Sequence, residues 1–326
     1  MPAAKPFRAV HIGDLHFWRI PLNPFLYFNK RLLGVGNLIV GGRGKKFRQH
    51  MAPDLVTKLK NLNPDAFLFS GDFTSTSAPG EFVAARNTFA PAIAVAPLGA
   101  YSVPGNHDCY LGRKIEPLHF RDRLGDAFRP TQHIDFSFIH EEVALFQINA
   151  TTKNGFGSHG RVTSEHLAAM KGLSRQIHNV KMVWFLCHFP AEDPPGVLRH
   201  DRGPQLMNCA PLLDFFASLP VKVLWLHGHH HHRWIYGSPT VPNLAYLNAG
   251  APFLRRGTDE PDLGFHELNF DGEELKIACH AISKKEGAWD TRDVSWPAAG
   301  EYVDLQTAGM GNRDMSPPVL PSPRSP

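Results

Sequence analysis

Short apolar runs of strand length recur along this chain, and five of them stop abruptly at a polar cluster. FRAVHIG ends at Asp14, AFLFSG at Asp72, AYSVPGN at His107, KMVWFLC at His188 and VKVLWLHG at His229. Each has the length and the Val, Ile and Phe enrichment of a buried strand. Helix-like stretches lie between them: 53–62, 80–94, 164–178 with Ser164 as N-cap, and 210–218. Strand–helix alternation of this kind predicts an α/β architecture with largely buried sheets.

Later runs, FSFIHEEVALFQIN and then AYLNAG through LGFHELNFDGEELKIACHAI, read as consecutive strands and hairpins, with an Asp-Gly turn at Asp271 and Gly272. A second sheet packed on the first is therefore expected. From about Gly300 the chain turns Pro- and Ser-rich, and the expectation is one domain over 1–299 followed by a disordered tail, 300–326.

Composition narrows this picture only slightly. A hydrophobic fraction of 43%, a charged fraction of 20% and a net charge of +4 are ordinary for a globular protein and argue against a nucleic-acid binder. Four cysteines without a CxxC pair suggest a reduced, cytoplasmic chain. The start, MPAAKPFRAVHIGD, lacks the apolar core of a signal peptide, and no run of ~18 apolar residues is present. Nineteen histidines are the compositional hint of metal chemistry.

The polar residues at the strand ends make that hint specific, because chemistry in open α/β sheets collects outside the carboxyl ends of the strands. Asp14 and His16 stand two apart, Asp72 follows Gly71, Asn106 and His107 follow Gly105, and His229 and His231 follow Gly228. Mixed imidazole and oxygen donors without cysteine suit Mn, Fe or Zn. Two such ions are the usual apparatus for hydrolysing phosphate esters, through a water of lowered pKa.

The ordered set DLH (14–16), GD (71–72), GNHD (105–108), His188 and GHHH (228–231) resembles the calcineurin-like metallophosphoesterase superfamily. LNAG (247–250) resembles the strand and turn that often follow the last motif. The resemblance implies an α/β fold of two packed mixed β-sheets flanked by helices, an αββα sandwich. It implies one ion held by Asp14, His16 and His231, a second held by Asn106, His188 and His229, and Asp72 bridging both. It implies His107 as the proton donor to the leaving oxygen and Asp108 as its acidic partner, an orienter of His107 or of local backbone. The activity implied is metal-dependent hydrolysis of a phosphodiester or pyrophosphate by a metal-bridging hydroxide.

Within the run of four histidines, the reading is two ligands and two neighbours, with His227 structural. Cys109 and Cys187 adjoin site residues, although free cysteine is commonly a small core hydrophobe. Glu192, Asp193, His200 and Asp201 follow His188 and could line the pocket, or simply be solvated.

Residues 17–53 form an insertion between the first two motifs and contain no acidic residue. Arg19, Lys30, Arg31, Arg43, Lys45, Lys46 and Arg48 interleave there with Phe17, Trp18, Ile20, Phe25, Leu26, Tyr27, Phe28, Leu32, Leu33, Leu38 and Ile39. Such a segment can lie on an anionic membrane surface through residues 17–48, placing the enzyme peripherally on the inner membrane face. It can equally be a cap packed on the protein's own core. The insertion resembles, in composition and position, that of bacterial family members that cleave UDP-2,3-diacylglucosamine.

Three functions are therefore carried forward. One is a dinuclear phosphohydrolase acting on a lipid-linked or nucleotide substrate at a membrane. Another is the same chemistry on a soluble ester such as a cyclic nucleotide. The third is a non-catalytic metal-binding scaffold, which the complete ligand set and His107 argue against.

Overall fold

Runs rich in branched and aromatic residues, flanked by polar turns, become strands here because both of their faces are covered. The computed structural model describes residues 6–20, 36, 46–109, 116–151, 159–195, 205–256, 260–261, 263–282 and 288–306. In chain order the strands are β1 (Phe7–Ile12), β2 (Ala66–Phe69), β3 (Ala100–Ser102), β4 (Ile134–His140), β5 (Val143–Ile148), β6 (Gly160–Arg161), β7 (Met182–Cys187), β8 (Leu206–Met207) and β9 (Lys222–His227). They continue as β10 (Arg233–Gly237), β11 (Leu244–Ala249), β12 (Arg255–Arg256), β13 (Glu260–Pro261), β14 (Gly264–Phe270), β15 (Leu275–Ile282), β16 (Trp289–Val294) and β17 (Tyr302–Asp304).

Two mixed sheets result. One has the order β16-β15-β14-β1-β2-β3 and the other β17-β10-β11-β9-β7-β5-β4. β1, β2 and β3 run parallel, as do β5, β7, β9 and β11. The helices Ala52–Asn61, Pro79–Ile93 and Glu116–Leu124 pack on the outer face of the first sheet through Leu55, Leu59, Phe82, Phe89 and Phe120. The helices Ser164–Leu173 and Ala210–Ala217 cover the second through Met170, Leu212 and Phe216. Between the sheets lie Leu68, Val103, Leu145, Trp184, Leu224 and Leu268, all fully buried. This is the αββα sandwich expected from the sequence.

Several sequence expectations shift in detail. Thr163, not Ser164, caps its helix, its Oγ1 accepting from His166 N at 3.2 Å. The same helix ends at Leu173 and passes into a 3-10 turn, Ser174–Gln176. The tail expected from 300 begins too early: β17 pairs antiparallel with β10, and Leu305 and Gln306 are buried. Backbone pairing and the His232 Nε2–Asp304 Oδ2 contact at 3.1 Å hold residues that composition alone assigned to disorder. The rest of that tail, and most of the basic insertion, lie outside the described residues.

No helix among the described residues is long and apolar enough to cross a membrane.

Candidate metal centre

Five loops leave the carboxyl ends of β1, β2, β3, β7 and β9 and converge. They bring together Asp14, His16, Asp72, Asn106, His107, His188, His229 and His231, residues spread over more than two hundred positions of chain. The loops are tight. Asp14 (φ 50°), His16 (φ 47°), Asp72 (φ 54°), His229 (φ 75°) and His231 (φ 60°) all adopt the left-handed region, which costs on the order of 1–3 kcal/mol for each such residue. Backbone bonds across the sandwich sustain this strain, among them Asp14 N to Gly71 O and His16 N to Asp72 O, both 2.9 Å. A Cβ at Gly105 would collide with Asp72, and one at Gly228 with Asp14, so these motif glycines permit the approach of the carboxylates.

Asp14, His16, Asp72 and His231 each offer an atom within 4.8 Å of the others. His16 Nε2 lies 2.8 Å from His231 Nε2 and 3.5 Å from Asp72 Oδ2. The same oxygen lies 3.4 Å from His188 Nε2, which is 3.1 Å from Asn106 Oδ1. His229 Nδ1 completes that second group, 3.1 Å from Asn106 Oδ1 and 3.3 Å from His188 Nε2.

Outer hydrogen bonds decide what these atoms can be. His188 Nδ1 donates to Ser70 O at 2.8 Å, and His229 Nε2 donates to Gln205 Oε1 at 2.8 Å. The inward nitrogens of both rings therefore carry lone pairs when the rings are neutral. Burial keeps them neutral: it lowers the His188 pKa to about 4 and takes His229 well below the ordinary value, His188 adding to the latter shift. Two bare nitrogens, an amide oxygen and a carboxylate oxygen thus face one another with no hydrogen between them. Such a set of acceptors fits a cation, and its nitrogen–oxygen composition suits a first-row divalent ion.

His107 stands beside this cluster, its ring 4.8 Å from that of His16. Its backbone N–H donates to Asp72 Oδ1 at 2.8 Å and its Nδ1 donates to Ser75 O at 2.7 Å. Asp108 does not reach the His107 ring. Its carboxylate accepts from Phe73 N, Thr74 N, Thr74 Oγ1 and Gly105 N at 2.9–3.2 Å, which ties the loop after β2 to the loop after β3. Burial first, and the neighbouring Asp72 second, push its pKa up to about 7.

The neighbouring candidates sort as follows. His227 is fully buried against Trp234, its Nδ1 3.0 Å from Gly228 O. His230 turns to Asp193 (2.8 Å) and His232 to Asp304. Cys187 is buried, and burial lifts its thiol to about 12, so it offers neither a thiolate ligand nor a nucleophile. Glu192 ties its loop to Ser238, Thr240 and Tyr246. His200 and Asp201 lie outside the described residues. The sequence did not point to Gln205, nor to Phe47, whose ring packs 4.7 Å from that of His16. Both are common residue types in segments without a motif.

A family model for calcineurin-like phosphoesterase matches residues 7–233. No curated protein matches the chain. Among solved structures, the chain is similar to the purple acid phosphatase PPD1 from yellow lupin seeds, with 13% identity and a TM-score of 0.53. That match covers 90% of this chain but 54% of the lupin enzyme, so the chain spans about half of that protein's length. The likeness supports the fold alone. Weaker similarities, too slight to argue from, are to Vps29 from Entamoeba histolytica (12% identity, TM-score 0.38, 88% of this chain and 98% of that one) and to TT1561 of Thermus thermophilus (11% identity, TM-score 0.43, 88% and 98%). Because the matched span exceeds half of the sequence and contains every strand-end residue described above, the chain belongs to the calcineurin-like phosphoesterase family.

Proposed function

We propose that the protein is a dinuclear phosphohydrolase that cleaves a phosphodiester or pyrophosphate bond in an amphiphilic substrate at a membrane surface. Asp14, His16 and His231 would hold one divalent ion, Asn106, His188 and His229 the other, with Asp72 shared. The observation that carries the two-ion reading is the position of Asp72 Oδ2, within 3.5 Å of both His16 Nε2 and His188 Nε2. When bound, Mn, Fe or Zn ions supply a nucleophile at neutral pH and charge stabilisation for phosphoryl oxygens.

The chain's own contribution is orientation and a proton. The Ser75 carbonyl, fixed on His107 Nδ1, leaves Nε2 as the atom that hands a proton to the leaving oxygen.

The amphiphilic substrate is inferred from the basic, apolar composition of residues 17–53 together with the placement of the described ends of that segment. Phe17 bridges to Thr74, while Phe47 packs on His16, and Gln49 Nε2 donates to His16 O at 3.2 Å. The insertion thus leaves and rejoins the fold beside the metal centre. The test is turnover of UDP-2,3-diacylglucosamine in detergent micelles and of cyclic AMP, side by side, by Mn-loaded protein. Preference for the lipid is expected; preference for cyclic AMP would remove the membrane reading and leave the dinuclear chemistry standing.

A further inference from the structure

His229 can serve a cation through Nδ1 only while that nitrogen is bare. A neutral imidazole carries one hydrogen, and the ring has acceptors on both sides: Gln205 Oε1 at Nε2, and Asn106 Oδ1 with His188 Nε2 at Nδ1. If the hydrogen moved to Nδ1, it would point at Asn106 Oδ1 and fill the place where the acceptors converge. Gln205 Oε1 has no hydrogen of its own and must be served by Nε2–H, so it selects the ligating tautomer.

We infer that Gln205 is a positioning residue which fixes the tautomer and orientation of His229 for ion binding. The inference rests on the metal-centre reading and deepens it.

Three features of the fold fit this role. Gln205 is 7% exposed, so water competes little for its amide. Its backbone is held independently of its side chain, with Gln205 O accepting from Gly160 N at 2.8 Å and the next two residues pairing with β6. Gln205 also ends the excursion that begins after His188, and an earlier residue of that excursion, Asp193, grips the adjacent His230. The excursion therefore holds the histidine turn at two successive positions, but only the Gln205 contact decides which nitrogen of a ligand is bare. A partner of this kind, which acts on a ligand and not on the ion, typically changes metal affinity by roughly 10–100-fold.

The experiment compares wild-type protein, Gln205→Leu and Gln205→Glu as full-length, chelator-stripped chains titrated with Mn²⁺. Leu keeps the volume but loses the acceptor, whereas Glu keeps an acceptor oxygen. The expected result is Mn²⁺ affinity of one equivalent weakened roughly 10–100-fold in Gln205→Leu and restored in Gln205→Glu. Long-range proton–nitrogen correlation of the histidines in the metal-free proteins gives a second readout. Nε2–H at His229 is expected in wild type and Gln205→Glu, and a shift toward Nδ1–H in Gln205→Leu. Wild-type affinity and tautomer in Gln205→Leu would overturn this inference alone, as would equal weakening in both variants with no tautomer change. A wild-type chain that took up no Mn²⁺ would overturn the metal centre and this inference with it.

Discussion

The Asp14 carboxylate accepts the backbone N–H of His229 with both oxygens, at 3.1 and 2.9 Å. Asp14 belongs to one group of candidate ligands and His229 to the other, so this contact couples them through the backbone. His229 sits at φ 75°, a conformation that needs such outside support. Asp14→Ala is therefore expected to weaken uptake of both ions at least tenfold, as loss of a ligand and of an outer partner together would. Elemental analysis after dialysis against limiting Mn²⁺ checks this, and loss of a single equivalent would show the two groups to be independent.

His107 makes a different prediction because its tie to the candidate ligand Asp72 runs through its backbone and not through its ring. Its ring is anchored on Ser75 O, and its backbone N–H on Asp72. His107→Ala keeps the backbone donor and should keep the ions, while the rate falls about 10²–10⁴-fold, the range for a lost general acid. Turnover and metal content measured on one preparation separate the two effects. A fully active variant would end the proton-donor assignment.

Asp108 should behave as a structural residue. Four donors converge on its carboxylate, and Asp108→Asn would turn an amide N–H toward at least one of them. A loss of about 2–3 kcal/mol in unfolding free energy is expected, in line with hydrogen bonds to a buried charge. Denaturant unfolding of the metal-free protein measures it. A variant of unchanged stability but greatly reduced turnover would return Asp108 to a catalytic role.

How much of this was legible in the sequence depended on residue chemistry. Asp14, His16, Asp72, Asn106, His188, His229 and His231 could be found because each combines an uncommon donor type with the end of an apolar run. The two-sheet sandwich followed from the same runs. Gln205 could not be found: it is 24 positions from its partner, lies in no motif, and matters through the ring nitrogen it leaves free. β17 was missed because its three residues gain order from β10 and not from their own composition. Asp108 stands in the motif beside His107, whereas its side chain bonds Phe73 and Thr74 on the neighbouring loop and Gly105 N, partners that the motif does not name.

The inter-sheet face behind the metal centre contributes to the response of stability to pH. His11 on β1 and His266 on β14 are register partners, fully buried, with ring centroids 5.9 Å apart. Burial takes the His11 pKa well below its ordinary value and His266 down to about 3. Neither ring nitrogen of His11 has a hydrogen-bond partner, so a proton there would be uncompensated. As pH falls below 6.5, the unfolded chain binds protons at both positions and the folded chain does not. Stability therefore rises with pH across that window and is lost on acidification, by about 1.4 kcal/mol per pH unit for each group. Denaturant midpoints measured on metal-free protein at several values between pH 7 and 4.5 should fall steadily, and His11→Leu should flatten the dependence by about one proton. An unchanged slope in that variant would show that His11 is not among the groups that make the fold acid-labile.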